Sequence, residues 1–234
     1  QGLTATIVTI ESIDDFNEDL RGYEQVWEIN WSDEANYGYL FSGTSVGSYS
    51  TATKNVFEDY LQAGGSMYKA GELDSSTYNT QNDNAVNLLS HVGGNLSYDG
   101  TFNGTGWQLE DDYQVGPTTD DTTFYSLATA KITTTDGSYM TTASSNSSYH
   151  GSAEWGPDVL DSNIHGTIMT HHDFNYLGNQ SSYDEPNLAK TYSNWLEDES
   201  EANQGGITFD TEYLPKFETT YGWVATSNNT KNTV

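Results

Sequence analysis

The most constraining feature of this sequence is its charge imbalance. The chain of 234 residues carries 34 acidic side chains against seven basic ones, which gives a formal net charge of -27 at pH 7. Like charges at this density repel one another and oppose a compact fold, whereas salt screens them over a Debye length of about 3 Å at 1 M. The sequence is therefore typical of a salt-adapted protein of the halophile type.

The seven basic residues are scattered singly along the chain. Nucleic acids and anionic membrane surfaces are bound by clustered Lys and Arg, so we expect neither as a partner. We also expect no membrane insertion, because no apolar run approaches the roughly 20 residues of a membrane span. The chain begins with Gln1 rather than Met, which predicts a processed, secreted form in the extracellular space or at the cell surface.

The core must depend on aromatic residues. Leu, Ile, Val and Phe together number only 41, a proportion that with this charge favours disorder. However, the chain also holds 17 Tyr and 6 Trp, and each such ring buries about 150–250 Å². There is no Cys, which excludes disulfides and thiol nucleophiles. We expect a folded domain with an aromatic-rich interior.

Hydrophobic periodicity predicts both strands and helices. Alternating segments predict strands over residues 3–10, 22–31, 36–41, 163–172 and 219–226. Helical spacing predicts three helices, one with Val56, Phe57, Tyr60 and Leu61 on its apolar face, the others over about 76–92 and 186–202. Each predicted helix is followed by a Gly pair, and Ser50 or Thr51 can cap the first. The pattern indicates one secreted α+β domain over 1–234, a mostly antiparallel β-sheet with two to three helices packed on it.

Two Asp-Gly pairs predict turns. Asp136-Gly137 lies between two Thr-rich alternating runs, which favours a hairpin with a type I′ turn. Asp99-Gly100 is a weaker signal of the same kind.

The histidines predict a metal site. Four of the five lie within residues 150–172, and carboxylates are interspersed, so the candidate ligands are His165, His171, His172, Asp173, His150 and Glu154. Neutral imidazole with carboxylate suits zinc and similar ions. On a regular strand, His165 and His171 would be about 20 Å apart, so a shared site needs a bend or a neighbouring strand. The alternative is a set of ordinary polar histidines beside acidic residues.

Other motifs leave alternatives open. Gly43-Thr44-Ser45-Val46-Gly47 has the G-x-S-x-G form of a serine esterase, or is a simple Gly/Ser turn. Acidic clusters such as Glu110-Asp111-Asp112 are a solvated surface or a site for calcium and other inorganic cations. Six N-x-S/T sequons permit a glycoprotein without requiring one.

Aromatic residues are dense in the first strands. Strand alternation would place Tyr23, Trp27 and Trp31 on one face, either as a stripe that stacks on sugars or as a core face. We therefore expect a surface or structural protein acting in assembly, adhesion or glycan contact, with self-assembly through the terminal strand 3–10. The alternatives are a secreted metal-dependent hydrolase using the cluster at 150–173 and a serine esterase at Ser45.

Overall fold

The computed structural model describes residues 4–6, 16, 19–29, 48–76, 79–104, 106–113, 123–124, 126, 128–173, 186–203 and 224–226. The strands within these residues are β1 (Thr4–Thr6), β2 (Gln25–Glu28), β3 (Ser66–Ala70), β4 (Ser97–Phe102), β5 (Trp107–Leu109), β6 (Thr123–Phe124), β7 (Thr129–Thr133), β8 (Ser138–Ala143), β9 (Asn146–Trp155), β10 (Thr167–His171) and β11 (Val224–Thr226). The helices are α1 (Thr51–Gln62), α2 (Asn79–His91) and α3 (Pro186–Asn203), and a 3₁₀ turn covers Asp111–Tyr113.

Nine strands form one mixed sheet. Their order is β1-β11-β2-β3-β10-β9-β8-β5-β6, and β4 pairs with β7 in a separate two-stranded sheet. The pairs β2-β3 and β3-β10 are parallel, while the other six pairings of the large sheet are antiparallel. The predicted α+β class, a mostly antiparallel sheet with helices packed on it, is confirmed.

The helices cover both faces of the parallel strands. One buried cluster joins α1 and α2 to Val26, Met67 and Ile168, and a second joins α3 to Tyr68 and Met169. Met67 and Tyr68 are adjacent in β3, so the alternation of a strand sends them to opposite faces. The same holds for Ile168 and Met169 in β10. The parallel strands are therefore buried on both sides, as such strands usually are.

Local signals account for the helix boundaries. The side chain of Ser50 accepts a hydrogen bond from the Thr53 backbone N–H at 3.1 Å and so caps α1. Gly64, just beyond α1, has a φ of 86°, which a residue with a side chain rarely adopts. All three predicted helices are confirmed. The strand predicted over 36–41 lies outside the described residues.

The hairpin predicted at Asp136-Gly137 is wrong. The chain does turn there, but β7 pairs with β4, whereas β8 pairs with β9 and β5. Gly137 does not have a positive φ; instead, an added Cβ would lie 2.5 Å from Trp155 Cε2, so close packing explains the glycine. The Asp136 carboxylate accepts a hydrogen bond from Trp155 Nε1 at 2.8 Å, and Thr134 Oγ1 accepts one from the Gly137 N–H at 2.9 Å. Side-chain hydrogen bonds thus replace strand pairing at this turn.

The weaker hairpin signal, Asp99-Gly100, also does not form a hairpin turn. Gly100 has a φ of 75° and lies inside β4, where the register to β7 shifts between Tyr98 and Thr101. It is a β-bulge within the strand rather than a hairpin turn.

The predicted aromatic stripe is only partly correct for Tyr23 and Trp27, and its third member, Trp31, lies outside the described residues. Trp27 shares a face with Gln25, whose side-chain oxygen accepts a hydrogen bond from Trp27 Nε1 at 3.1 Å. Tyr23 lies before β2 and packs into the opposite cluster, because strand alternation begins only at Gln25. Trp27 stacks on the buried Tyr68 with centroids 4.7 Å apart. These rings therefore contribute to the interior.

Candidate functional site

A groove lies where β5, β8 and β9 meet the 3₁₀ turn. It has a volume of about 910 Å³. Three carboxylates, two tyrosines and a histidine give it its chemical character: Glu110, Asp111, Asp112, Tyr113, Tyr139 and His150. The described lining residues include no Lys or Arg. A ligand in this groove therefore meets aromatic rings and acidic hydrogen-bond acceptors.

The β8–β9 hairpin builds an aromatic platform along the groove. The register between the two strands shifts at three points along β8, and Thr142 lies opposite His150. Such shifts redirect side chains relative to a regular ladder. The Tyr139 ring and the His150 imidazole stack with centroids 3.7 Å apart and planes within 8° of parallel. The Tyr139 hydroxyl accepts a hydrogen bond from the Thr134 N–H at 3.2 Å, which fixes the phenol ring.

A chain of hydrogen bonds holds the imidazole in place. Thr142 Oγ1 donates to Glu110 Oε1. His150 Nδ1 lies 3.1 Å from Thr142 Oγ1 and 3.3 Å from the carbonyl oxygen of Thr141. Burial lowers the pKa of His150 below its usual 6.5, while the Thr141 carbonyl and the Glu110 charge oppose that effect. His150 is therefore neutral at pH 7.

Tyr113 connects the groove to a half-buried carboxyl group. Its hydroxyl donates to Glu154 Oε1 at 3.1 Å, and its ring packs edge-on against Trp195 of α3 with centroids 4.9 Å apart. Burial raises the pKa of Glu154 to about 7; the Tyr113 hydrogen bond opposes this, and the nearby charges of Glu199 and Asp158 add to it. Glu154 is thus only partly ionised near neutral pH, unlike an ordinary surface glutamate.

The residues predicted to bind metal do not lie together, and His171, His172 and Asp173 are buried. His165 is exposed before β10. His171 faces α3, where its Nδ1 lies 2.9 Å from the Tyr192 hydroxyl, and His172 faces the other side, edge-on to Tyr98 at 5.1 Å. Strand alternation explains why the two adjacent histidines point apart.

The other three predicted ligands have separate partners. Glu154 receives the Tyr113 hydroxyl, His150 stacks in the groove, and Asp173 Oδ2 accepts a hydrogen bond from Ser126 Oγ at 2.6 Å. Among the described residues, no group of three or more His, Cys, Asp or Glu side chains could hold a metal ion. The zinc or calcium site therefore stays a prediction without geometric support. Ser45 lies outside the described residues.

Ionisable groups also gather where the parallel strands end. Glu28 ends β2, Lys69 and Glu72 lie at the end of β3, and His172 and Asp173 follow β10. Ligands of open parallel sheets bind at this carboxyl edge. Here, however, each of the five residues is at most 3% exposed.

Buried polar contacts and packing occupy this edge. Lys69 Nζ lies 2.7 Å from Glu28 Oε2 and donates to the Ala70 carbonyl oxygen at 2.7 Å. The pKa of Glu72 is raised, mainly by burial and further by the charge of Asp173. The pKa of His172 is lowered by burial, so the imidazole is neutral. This edge is a closed polar core, and the groove beside β8 and β9 is the better candidate site.

Within the described residues, no helix is both long enough and apolar enough to cross a membrane.

Comparison with known proteins gives a fold and no family. No protein-family description and no curated protein matches the sequence. Among solved structures, the chain is similar to the mmIFT52 N-terminal domain, with a TM-score of 0.50 and 15% identity, covering 69% of this chain and 75% of that chain. At this identity the likeness describes the fold alone.

Two further solved structures superpose more loosely. A putative ThuA-like protein from Bacteroides uniformis ATCC 8492 gives a TM-score of 0.39 at 13% identity, covering 76% of this chain and 70% of that chain. The exo-beta-1,4-mannosidase Op5Man5 from Opitutaceae bacterium strain TAV5 gives 0.34 at 9% identity, covering 70% of this chain and 24% of that chain.

The sequence shows the parts of the groove but not that they meet. Glu110, Asp111 and Asp112 form an acidic cluster in the sequence, and His150 is predicted as a metal ligand. Tyr139 has no signal beyond strand alternation. The groove depends on the pairing of β8 with β9, which places Thr142 opposite His150, and the residue pattern does not specify which residues of the two strands face each other.

Proposed function

We propose that this protein is an extracellular, salt-adapted surface or structural protein that contacts glycans through the groove. The observation that carries the proposal is the stacked Tyr139–His150 platform beside the carboxylates. Aromatic faces pack against the apolar C–H faces of sugar rings, while carboxylates accept hydrogen bonds from sugar hydroxyls. Both kinds of contact are available in one groove.

The charge of the groove restricts the class of sugar. Glu110, Asp111 and Asp112 line it without a described Lys or Arg. Their field disfavours anionic ligands and favours neutral or cationic ones at moderate salt. We therefore expect neutral or amino sugars to bind, and uronic acids to be rejected.

Calorimetric titration with three tetrasaccharides tests the proposal. The probes are chitotetraose, its fully deacetylated cationic form, and anionic tetragalacturonate, each at the lowest KCl concentration that keeps the protein folded. We expect binding of the first two only. No heat with any probe, or preferred binding of tetragalacturonate, contradicts the proposal.

Matched variants assign the binding to the groove. Tyr139→Leu removes the ring and should weaken binding roughly tenfold, since about 1.4 kcal/mol is a factor of ten and one aromatic contact contributes about that much. Tyr149→Leu is the control, because Tyr149 lies on the same hairpin but packs on Phe102 and does not line the groove. If both variants lose the same affinity, the loss comes from a disturbed fold rather than from the missing Tyr139 ring.

A second pair of variants tests the role of charge. Asp112→Asn removes an exposed groove carboxylate and should weaken binding of the deacetylated tetramer by about two- to fivefold, as expected for an exposed charge pair. Asp83→Asn removes the same charge from an exposed position of α2 that does not line the groove, and it should leave affinity unchanged.

A further inference from the structure

The hydrogen bonds around His150 determine which ring nitrogen carries the proton. The Thr141 carbonyl oxygen, 3.3 Å from Nδ1, can only accept a hydrogen bond. Thr142 Oγ1, 3.1 Å from Nδ1, donates its own proton to the Glu110 carboxylate and so turns only lone pairs towards the imidazole. Both neighbours require a donor, and Nδ1 must therefore be the protonated nitrogen.

The other nitrogen is left with a free lone pair. Since the imidazole is neutral at pH 7, a proton on Nδ1 leaves Nε2 as an acceptor. Within the described part of the chain, no residue forms a hydrogen bond with Nε2. His150 is half-buried and lines the groove, so the lone pair remains accessible on the ligand side.

We propose that His150 accepts a hydrogen bond from a ligand hydroxyl through Nε2, and so makes the groove select sugars that donate a hydrogen bond at this position. The inference rests on the proposed glycan function. Glu110 and Thr142 are positioning residues, since they act on the ligand only by fixing the imidazole. The Tyr139 ring, stacked on the imidazole, restricts its rotation.

Nε2 of His150 and the groove carboxylates are all hydrogen-bond acceptors. A sugar hydroxyl, amide N–H or ammonium group supplies a donor to each of these acceptors. An ether oxygen or an ionised uronic acid would turn lone pairs towards lone pairs. A site built to pair with a hydroxyl discriminates strongly against an analogue that lacks it, because its own polar group is left unpaired.

The tautomer is testable without any ligand. Long-range ¹H–¹⁵N correlation spectra of the wild-type protein at pH 8 report pyrrole-type and pyridine-type nitrogens separately. For His150 we expect a pyrrole-type Nδ1 and a pyridine-type Nε2, while the exposed His165 shows averaging between the two forms. Thr142→Val should shift His150 towards averaging because the Glu110–Thr142 link is lost. A pyridine-type Nδ1 in the wild type overturns the inference, whether or not sugars bind.

Binding of chitotetraose tests the acceptor role. His150→Phe keeps a stacking ring but removes the acceptor and should lose roughly tenfold in affinity, about the contribution of one hydrogen bond to a ligand. His150→Gln places an amide oxygen near the position of Nε2 and should bind at least threefold better than His150→Phe. Equal affinities for wild type and His150→Phe overturn the role.

The two levels of the proposal fail in different ways. If wild-type protein binds none of the sugar probes, the glycan function fails and the ligand role of His150 fails with it. If sugars bind but the His150→Phe variant matches the wild type, only the role of His150 is overturned.

Discussion

At the scale of single residues, the buried charges explain why this acidic chain still depends on a lysine. Lys69 and Glu28 lie on neighbouring parallel strands with side chains 1% and 2% exposed, and their charged atoms are 2.7 Å apart. Each charge would be very costly to bury alone. Their pairing, with the Ala70 carbonyl as a further acceptor for Lys69, makes that burial tolerable.

Removing the charge of Lys69 alone should therefore destabilise the fold far more than removing the charges of both Lys69 and Glu28. Lys69→Met should lower the free energy of unfolding by about 3–5 kcal/mol, because it leaves the Glu28 carboxylate buried and unpaired. Lys69→Met with Glu28→Gln should recover a large part of that loss. Urea denaturation at fixed KCl measures the free energy of unfolding of the single and of the double variant.

Lys131→Met is the matched control for this pair. Lys131 is partly exposed, 3.4 Å from the highly exposed Asp99, and should contribute below about 1 kcal/mol. Similar losses in Lys69→Met and Lys131→Met would contradict the argument.

Buried imidazoles should make the protein sensitive to acid. Burial lowers the pKa of His171 to about 3, whereas an unfolded histidine titrates near 6.5. Between these values the unfolded chain binds more protons, so His171 lowers stability as pH falls below about 6.5. At pH 5 the loss from this residue is about 2 kcal/mol.

Acid titration of matched variants isolates that contribution. His171→Gln keeps a polar partner for Tyr192 but does not titrate, so its stability should fall less than that of wild type between pH 7 and pH 5. His165→Gln, at an exposed position, should show the full wild-type loss. The slope of stability against pH is compared, because the absolute stabilities of the variants differ. Parallel slopes for all three proteins would exclude His171 as a cause.

At the scale of elements, the junction between α1 and β10 depends on two glycines. A Cβ added to Gly166 would lie 2.0 Å from the Gly65 carbonyl oxygen and 3.0 Å from that of Leu61. Both obstacles are backbone atoms, which cannot move aside without disturbing the helix end. The backbone N–H of His165, next to Gly166, also bonds the Leu61 carbonyl at 3.1 Å.

Gly166→Ala should therefore destabilise the fold by about 2 kcal/mol or more, as overpacking does in a closely packed interior. Gly156→Ala is the control, because the nearest atom to its added Cβ is the side-chain oxygen of exposed Asp158 at 3.1 Å, which can shift. Thermal melts of both variants give the comparison. A Gly166→Ala protein as stable as Gly156→Ala would show that the junction is looser than the 2.0 Å and 3.0 Å separations imply.

Elements with strong local signals were predictable, and pairings between distant elements were not. The α1 boundary follows from Ser50 and the Gly64-Gly65 pair, which act within a few residues. By contrast, Asp136-Gly137 carries a hairpin signal, but Trp155 and its bond to Asp136 decide the conformation there. The opposite facing of His171 and His172 follows from alternation, whereas their partners Tyr192 and Tyr98 depend on tertiary packing.

At the scale of the whole molecule, the interior of the described residues combines aliphatic side chains with large aromatic ones. Buried aromatic residues from strands and helices supply much of the core, including Trp107, Trp155, Tyr60, Tyr68 and Tyr192. Their burial must offset the mutual repulsion of a chain with a net charge of -27. Because these two terms oppose each other, we expect ionic strength to be the main external control on stability.

We expect the melting temperature to rise strongly between 0.1 M and 2 M KCl, because screening weakens the repulsion but not the buried contacts. Replacing Asp59, Asp83 and Asp198, all exposed, by Asn should reduce that dependence, since it removes three of the repelling charges. Asp198 also lies near the carboxyl end of α3, where the helix dipole disfavours an anion by about 0.3–1 kcal/mol at low salt.

Calorimetric melts of the wild type and of the triple variant, over the same KCl series, measure the effect. An equal concentration series of sucrose controls for general stabilisation by excluded solutes, which does not screen charge. A melting temperature that stays flat from 0.1 M to 2 M KCl, or that rises equally in both proteins, would remove the basis for salt adaptation through carboxylate repulsion. A smaller rise in the triple variant, with no such difference in sucrose, would attribute the salt requirement to the acidic surface.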